Sequence, residues 1–272
     1  MPRSFASLFS RKKSQTLAFK DYYTNWFNTL QKTLLPLIHK SLSSSSSQTL
    51  LYSHVDLLLH HFLSYYDALD SAATQGNLPE LLYPSWRNSL EVPFLFLGDL
   101  HPYLFTNLVR SFLDEESEEE EEEEEEEDDG DSLDNRPWQV LMAWRNVSKN
   151  LMSQIEQIEC GLRLMVPALI GRIKKVQSGF VGRIAEDWVA FERQSDEELK
   201  GVIGEAMKEE MDDMVSVFVD ANRLRKSVIA EIVGALSVYQ AALFLEGLAQ
   251  FLVGLRDREV LGELNRSKIP IS

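Results

Sequence analysis

The residues best able to do chemistry are five histidines, one cysteine and a few acidic pairs. The histidines are His39, His54, His60, His61 and His101. His54 and His61 are seven residues apart and share one face of a predicted helix, a spacing that two metal or haem ligands could use. A metal site needs further ligands, and the single cysteine, Cys160, excludes an internal disulfide and a cysteine-based zinc site. We therefore expect no metal and no other cofactor.

The acidic pairs lie at Asp196 to Glu198 and at Glu209 to Asp213, where solvated helix faces commonly carry such residues. All histidines precede residue 102, so no Ser-His-Asp arrangement can be argued from the sequence. The chain has no phosphate-binding loop, dinucleotide fingerprint, HExxH or CxxC motif. These observations predict a protein that is not an enzyme and that acts by binding.

The acidity of the chain is concentrated in one segment. The 272 residues include 43 Asp plus Glu and 27 Lys plus Arg, for a net charge of −16. Sixteen of the acids lie between Asp114 and Asp131, with an uninterrupted run from Glu118 to Glu127, so the remaining 27 acids balance the 27 bases. A run without an apolar face predicts a disordered insert over 114–136. We interpret it as a tolerated loop expansion; the alternative is a segment that binds a basic partner, or Ca²⁺ at low affinity.

Residues 1–15 form a basic N-terminal tail with a short apolar face. Its apolar and basic residues are Phe5, Leu8, Phe9, Arg3, Arg11, Lys12 and Lys13. We interpret it as a disordered basic tail; the alternative is a small contact with an anionic membrane surface, which this composition also suits. No apolar run reaches about 18 residues, and the tail lacks the apolar centre of a signal peptide. We expect an intracellular protein.

Apolar residues recur with a period near 3.6 in every segment between the polar stretches, which predicts an all-α fold. We expect one multi-helix bundle over 16–256, interrupted by the insert at 114–136 and followed by a tail at 257–272. Its first helix covers 19–35, with Pro36 as a kink or an end, and its second covers about 49–70. Linkers are expected at 41–47 and 71–84. Long helices follow the insert: one stripe over 137–188, then a helix opened by Ser195-x-x-Glu198, with a stripe running on to Leu255.

The stretch from Pro84 to Phe112 contains several distinct signals. The run from Val92 to Leu97 is nearly all apolar, so we expect it deep in a core. Gly98 and Asp99 interrupt the run, and Pro102 fits the first turn of a new helix. Asp99 or His101 would cap that helix. Buried packing is the expected role of this corner.

This order of parts resembles the signature of the plant delay-of-germination (DOG) domain, which is shared with the C-terminal half of TGA-type bZIP transcription factors. The matching residues are Trp86, Arg87, Phe94, Leu97, Gly98 and Pro102, with Asp99 in place of a second glycine and His101 in place of an arginine. A second match, Ala221-Asn222-Arg223-Leu224-Arg225, resembles the Ala-Asp-x-Leu-Arg of TGA-type proteins. The whole pattern is most similar to the inaperturate-pollen group of DOG-domain proteins.

The resemblance implies a non-enzymatic scaffold for pollen aperture formation, acting at plasma-membrane domains where exine is not deposited. The implied partners are other proteins, such as membrane-bound kinases or further aperture factors, and a homodimer is compatible with the likeness to TGA-type domains. The implied location is the cytoplasm and nucleus, with peripheral association at the aperture domains. The alternative is a nuclear regulator of transcription or dormancy signalling. Direct DNA binding is disfavoured, because the short N-terminal tail holds no zipper and no second basic block.

Overall fold

The computed structural model describes residues 13–43, 47–122, 137–145, 147–190, 196–257, 259 and 261–262. Helices dominate these residues, and the sheet that they contain is a single two-stranded hairpin. The predicted all-α bundle is therefore confirmed. Within the described ranges, no helix has the length and apolar character needed to span a bilayer.

The aromatic N-terminal helix continues through Pro36. Helix α1 spans Lys13–Thr29, a π-helical turn spans Leu30–Leu34, and α2 spans Leu35–Ser43. A proline in a regular helix clashes with the carbonyl four residues earlier. The wider turn, in which the Leu35 N–H donates to the Leu30 carbonyl, shifts that register so that the helix can continue. Ser41 and Leu42 are buried in α2, so the predicted linker begins too early.

The second long helix confirms the sequence prediction, but the loop after it is shorter than expected. Helix α3 spans Gln48–Ala72, and the hydroxyl of Ser47 caps it by accepting from the Leu50 N–H at 3.3 Å. The predicted loop over 71–84 contains a short helix, α4, at Leu78–Leu82. Leu78 and Leu81 of α4 are buried, so this segment closes one end of the core.

The apolar run from Val92 to Leu97 does not lie deep in the core, contrary to the sequence prediction. It forms a 3₁₀ turn at Val92–Phe94 and strand β1 at Leu95–Phe96, which pairs antiparallel with β2 at Asp99–Leu100. Val92 is 58% exposed and Phe94 to Leu97 are half-buried. The reason is that a hairpin on the bundle surface turns one face outward. Val92, Leu95 and Leu97 line an open apolar pocket of about 560 Å³.

Helix α5 spans Tyr103–Glu122 and enters the acidic segment. The imidazole of His101 accepts from the Tyr103 N–H at 3.3 Å, which places His101 and not Asp99 at the start of this helix. Pro102 lies just ahead of the first helical residue, as expected. Residues 114–122 are helical, including Glu118, so the disordered insert was predicted to begin too early. Residues 123–136, including Glu127, lie outside the described residues.

The long stripe predicted over 137–188 is interrupted near its start. Helix α6 spans Trp138–Leu141 and α7 spans Lys149–Ala190, with the hydroxyl of Ser148 accepting from the Leu151 N–H at 3.1 Å. Trp138 is 69% exposed, so the apolar pattern of the sequence predicts more burial at this end than the structure has. Pro167 lies inside α7.

The last apolar stripe of the sequence, which predicts a continuous helix, corresponds to two helices in the structure. Helix α8 spans Asp196–Ala235, and α9 spans Val238–Gly254. Ser237 and Gln240 form a capping box that starts α9 and stops the predicted continuation from α8. The start of α8 agrees with the predicted cap, although Ser195 itself is not described. Of the tail at 257–272, only Asp257, Glu259, Leu261 and Gly262 are described.

Helix α9 lies at the centre of the bundle and α7 with α8 forms a long hairpin beside it. Residues on every side of α9 are buried, from Gln240 to Leu252, as expected of a helix surrounded by others. It packs against α2, α3 and α5, while α8 packs against α3. The far half of the hairpin is different, because α7 has no buried residue between Ile170 and Arg183.

Candidate functional site

The signature residues Arg87 and Asp99 meet in a buried ionic cluster below the hairpin. Arg87 Nη2 donates to Asp99 Oδ2 at 2.6 Å, and Arg87 Nη1 donates to Glu91 Oε1 at 2.8 Å. The three side chains are at most 2% exposed. Ion pairs this deep have lost their hydration, so each charge depends on its partners inside the protein.

A turn after Trp86 brings Arg87 and Glu91 together. The side-chain oxygen of Asn88 accepts from the backbone N–H groups of Leu90 and Glu91 at 2.8 and 3.1 Å. The carboxylate of Glu91 in turn accepts from the Asn88 N–H at 2.8 Å. This reciprocal arrangement fixes one turn of chain, so that residues four apart face each other. The signal for this pair in the sequence is an Arg followed by a Glu at the fourth position.

Tyrosines from α1 and α3 complete the polar contacts. The hydroxyl of Tyr65 donates to Asp99 Oδ2 at 2.6 Å, that of Tyr66 donates to Asp99 Oδ1 at 3.3 Å, and that of Tyr23 donates to Glu91 Oε1 at 3.3 Å. Burial raises the pKa of Tyr23 to about 12 and raises the pKa of Tyr65 and Tyr66 well above the ordinary value for a tyrosine. All three therefore stay protonated and act as donors.

The charge state of Asp99 follows from its neighbours. Burial by itself would raise the pKa of Asp99, but the positive charges of Arg87 and Arg225 outweigh it, and hydrogen bonds from Tyr65 and the Leu100 N–H add to their effect. The net result is a pKa below the ordinary value, so Asp99 is an anion. A glycine at this position could not balance Arg87, which gives the departure from the family signature a physical meaning.

The second matching motif, on α8, contributes further side chains to the cluster. Arg225 is fully buried, and its guanidinium donates to three carbonyls of the hairpin, those of Phe96, Asp99 and Leu100, the last at 2.7 Å. Asn222, also fully buried, accepts from Arg225 Nη1 at 2.7 Å and donates to Asp70 Oδ1 at 2.9 Å. Leu224 is half-buried against the core. The motif from Ala221 to Arg225 therefore attaches α8 to the hairpin.

Arg256, after α9, completes the assembly and was missed at the sequence level. Its Nη2 donates to the carbonyl of Trp86 at 2.6 Å and to Glu91 Oε2 at 3.2 Å. Its guanidinium lies 4.8 Å from the ring centre of Tyr23 and 4.7 Å from that of Phe27. No motif marks this arginine, because its partners lie 165 or more residues away in the chain.

The remaining signature residues shape the hairpin. Gly98 has φ +80, and an added Cβ would lie 2.0 Å from the carbonyl oxygen of Leu81. Leu97, with φ 48, shares the left-handed backbone of this turn. Phe94 packs edge-on against Phe251 at 5.3 Å, and the ring of Trp86 lies 5.1 Å from that of Phe19. These residues determine how closely the hairpin approaches α4 and α9.

Three of the histidines, His39, His54 and His61, have structural partners. His39 Nδ1 lies 2.7 Å from the buried carboxylate of Glu246, and His54 Nδ1 lies 2.6 Å from the Ser41 hydroxyl. The ring of His61 stacks on Trp26 at 5.0 Å. Across the described residues, no cluster of three His, Cys, Asp or Glu side chains could hold a metal. The spacing of His54 and His61 is thus explained by packing between α1, α2 and α3.

The arrangement as a whole suits a structural role. Its carboxylates are buried and already paired, so they have no free access to a substrate. The predicted membrane-contact residues lie elsewhere: Arg3, Phe5, Leu8, Phe9, Arg11 and Lys12 fall outside the described residues, and Lys13 begins the backbone of α1. The structure therefore joins the two signature motifs and leaves the N-terminal contact as a prediction.

Comparison with known proteins agrees with this geometry. The family model described as "DOG1: Seed dormancy control" matches residues 34–111, which include α3, the signature turn and the hairpin. The chain is 50% identical to "Protein INAPERTURATE POLLEN1" of Arabidopsis thaliana over 99% of this chain and 100% of that protein. It is 32% identical to "Protein INAPERTURATE POLLEN 1 homolog" of Oryza sativa subsp. japonica over 92% of this chain and 89% of that protein. The chain belongs to the inaperturate-pollen family of DOG-domain proteins.

Proposed function

We propose that this protein acts in pollen aperture formation as a non-enzymatic scaffold at plasma-membrane domains where exine is not deposited. The observation that carries the proposal is the 50% identity to the Arabidopsis protein over the whole of both chains. The buried signature cluster, whose carboxylates Glu91 and Asp99 are both paired with arginines, supports the scaffold part, because its ionisable groups hold helices together. On this proposal, the function resides on the protein surface and is exerted through partners such as membrane-bound kinases or further aperture factors.

Plants that lack this protein test the main part of the proposal. They are expected to make pollen with absent or misplaced apertures, and a transgene for the intact chain should restore them. Normal apertures in such plants would refute the role. An aperture defect that the transgene does not repair would assign the defect to another gene.

The N-terminal tail is proposed as the site of peripheral membrane contact. Changing Arg3, Arg11, Lys12 and Lys13 to Gln should weaken the association of a fluorescent fusion with the plasma membrane. The matched control changes four exposed lysines elsewhere, Lys20, Lys32, Lys149 and Lys208, to Gln. Equal membrane association of both variants and the wild type would instead favour recruitment by a partner on the bundle surface.

A second candidate is favoured by the family model, whose description is seed dormancy control. In that role the protein would be a nuclear regulator of transcription or dormancy signalling. The location of a fluorescent fusion separates the two candidates. Accumulation at membrane domains of developing pollen supports the aperture role, whereas nuclear accumulation in seed cells supports the dormancy role.

A further inference from the structure

The long helix α7 has an outer face that is basic and partly apolar. Between Glu159 and Glu186 the sequence has no acidic residue and five basic ones, which are Arg163, Arg172, Lys174, Lys175 and Arg183. Large apolar side chains are exposed on the same helix, with Leu164 at 70% and Val181 at 65%. We refer to the exposed residues Arg163, Leu164, Lys174, Lys175 and Val181, which lie on the same half of the helix surface, as the basic α7 face. Lys174, Lys175 and Val181 belong to the half of α7 that has no buried residue.

The basic residues of α7 include two that pair with α8 and two lysines on the basic α7 face. Arg172 pairs with Asp220 and Arg183 pairs with Glu209, both on α8. Lys174 and Lys175 are exposed, and in the described part of the chain no carboxylate lies within ion-pair distance of either. An unpaired basic stretch flanked by exposed apolar side chains suits an acidic partner.

The complementary charge is present in the same protein. The acidic segment, residues 114–131, contains 16 acids and no base, and the rest of the chain is neutral. We propose that the acidic segment of one copy binds the basic α7 face of a second copy. The proposal goes beyond the aperture role and does not depend on it.

The geometry of the chain prevents the acidic segment from covering the whole face of its own copy. Arg110 of α5 pairs with Glu159 of α7 at 2.7 Å, while Phe112, further along α5, stacks on Trp144 at 5.0 Å. Trp144 precedes α7, so α5 runs antiparallel to α7. The end of α5 at Glu122 therefore points away from the basic α7 face.

Distances along the chain support binding between copies. Glu122, the last described residue of the acidic segment, lies 12 residues beyond Arg110, or about 18 Å along α5. Lys174 lies 15 residues beyond Glu159 in the opposite direction, or about 22 Å along α7. The helical part of the acidic segment is thus directed away from the two lysines of its own copy, and a second copy can supply a segment that reaches them.

Two different surfaces meet in this contact. Two copies can make the contact reciprocally in a closed two-fold dimer, with the acidic segment of each copy on the basic α7 face of the other, and a contact that is not reciprocal forms open chains or rings. Because it is mainly electrostatic, it should weaken with salt, since the Debye length falls from about 10 Å at 0.1 M to about 3 Å at 1 M.

Sedimentation velocity of the full chain tests the proposal. The wild type should show concentration-dependent association at about 0.05 M salt that is lost at about 1 M salt. The double variant Lys174→Glu and Lys175→Glu should sediment as a monomer. So should a Gly-Ser variant, in which residues 123–131 are replaced by an equal length of Gly and Ser and the eight acids from Asp114 to Glu122 are changed to Asn and Gln. The control Lys20→Glu and Lys32→Glu has the same net charge as the first variant and changes exposed residues of another face, so it should still associate.

Mixing the lysine variant with the Gly-Ser variant is the experiment that tests the proposed contact most directly. The lysine variant retains its acidic segment and the Gly-Ser variant retains its basic α7 face, so together they should form a one-to-one complex. A monomeric wild type, a Gly-Ser variant that still associates, or a mixture that stays monomeric would each overturn the proposal. If the wild type is a monomer but the lysine pair is needed for binding to vesicles of anionic lipid, the face binds a membrane and the proposal is wrong.

Discussion

Asp99 shows how a single carboxylate can organise a protein interior. It accepts hydrogen bonds from Arg87, Tyr65, Tyr66 and the Leu100 N–H, and it is 1% exposed. A buried charge that loses its counter-charge is far more costly than a surface pair that is broken. The consequence of removing Asp99 is therefore expected to be structural.

Replacing Asp99 with Asn should lower the free energy of unfolding by about 3–5 kcal/mol, because Arg87 then loses one of its two buried anions. The matched control is Asp67→Asn. Asp67 pairs with Lys226 at 2.8 Å with a side chain that is 67% exposed, so its loss should cost about 0–1 kcal/mol. Urea unfolding of the two variants measures the difference. Equal effects of the two changes would contradict a central structural role of Asp99.

The raised pKa of Tyr23 predicts that the folded protein loses stability at alkaline pH. Its pKa is raised to about 12 in the fold, while in the unfolded chain it titrates near its ordinary value of 10. Above pH 10 the unfolded state releases this proton and the folded state keeps it, so the unfolded state is favoured. One such tyrosine should lower the free energy of unfolding by about 1.4 kcal/mol per pH unit until the pH reaches the folded pKa.

Tyr23→Phe should remove that part of the pH dependence. Its unfolding free energy should fall less steeply than that of the wild type between pH 10 and pH 11, as measured by urea unfolding at each pH. Tyr65 and Tyr66 remain, so a residual slope is expected. Identical slopes in the two proteins would mean that Tyr23 ionises freely in the fold.

Among the elements, the hairpin depends most on one residue. Gly98→Ala would force a side chain into a left-handed backbone and place its Cβ against the Leu81 carbonyl. The backbone alone should cost more than about 1 kcal/mol, and the collision adds to it. Gly234→Ala is the control, since Gly234 lies in α8 with open space around it and should be neutral or gain up to about 1 kcal/mol. Thermal unfolding, monitored by circular dichroism, compares the melting temperatures of the two variants. A melting temperature of the Gly98 variant equal to that of the wild type would show that the hairpin can move to accommodate the side chain.

Helix periodicity predicted the larger elements well because their buried faces are continuous. Helix α3 and the long C-terminal helices follow directly from the 3.6-residue pattern. The break at Ser237 was missed although Ser237 and Gln240 have capping-box spacing, because the apolar stripe on both sides suggested one helix. The hairpin was missed because an apolar run of six residues suits a buried segment equally well.

The charged cluster could be predicted only in part. Trp86, Gly98, Asn222 and Arg225 are recognisable by resemblance, and the structure explains them as buried residues. The tyrosines, Glu91 and Arg256 were not recognised, because ion pairs between distant parts of a chain leave no periodic signal. Their assembly depends on how α1, α3 and α9 pack.

The acidic segment is expected to add nothing to the stability of a single molecule. Replacing residues 123–131 with Gly and Ser should change the melting temperature by less than about 5 °C, on the order of 1 kcal/mol or somewhat more for a domain of this size. The helical part at 114–122 is kept, since it continues α5. A larger drop in the melting temperature would show that the segment packs on the bundle.

At the scale of the whole molecule, the family signature lies in the core. On our proposal, the function is exerted by the surface. Five signature and cluster residues from distant parts of the chain, Arg87, Glu91, Asp99, Arg225 and Arg256, meet within one buried region. Their loss should therefore remove function only by removing the fold. Surface changes in the N-terminal tail should weaken membrane association, and changes on the basic α7 face should weaken association between copies, while the fold remains.

The melting temperature of Trp86→Ala tests this division most directly. Trp86 is 8% exposed and packs against Phe19 and Tyr23, so its truncation should cost about 3–5 kcal/mol. The account predicts a melting temperature lower by roughly 6–20 °C, or no cooperative transition, together with a loss of apertures in proportion to the folded protein that remains. A variant that melts like the wild type and yet fails to restore apertures would contradict it, because Trp86 would then be a contact surface and not part of the core.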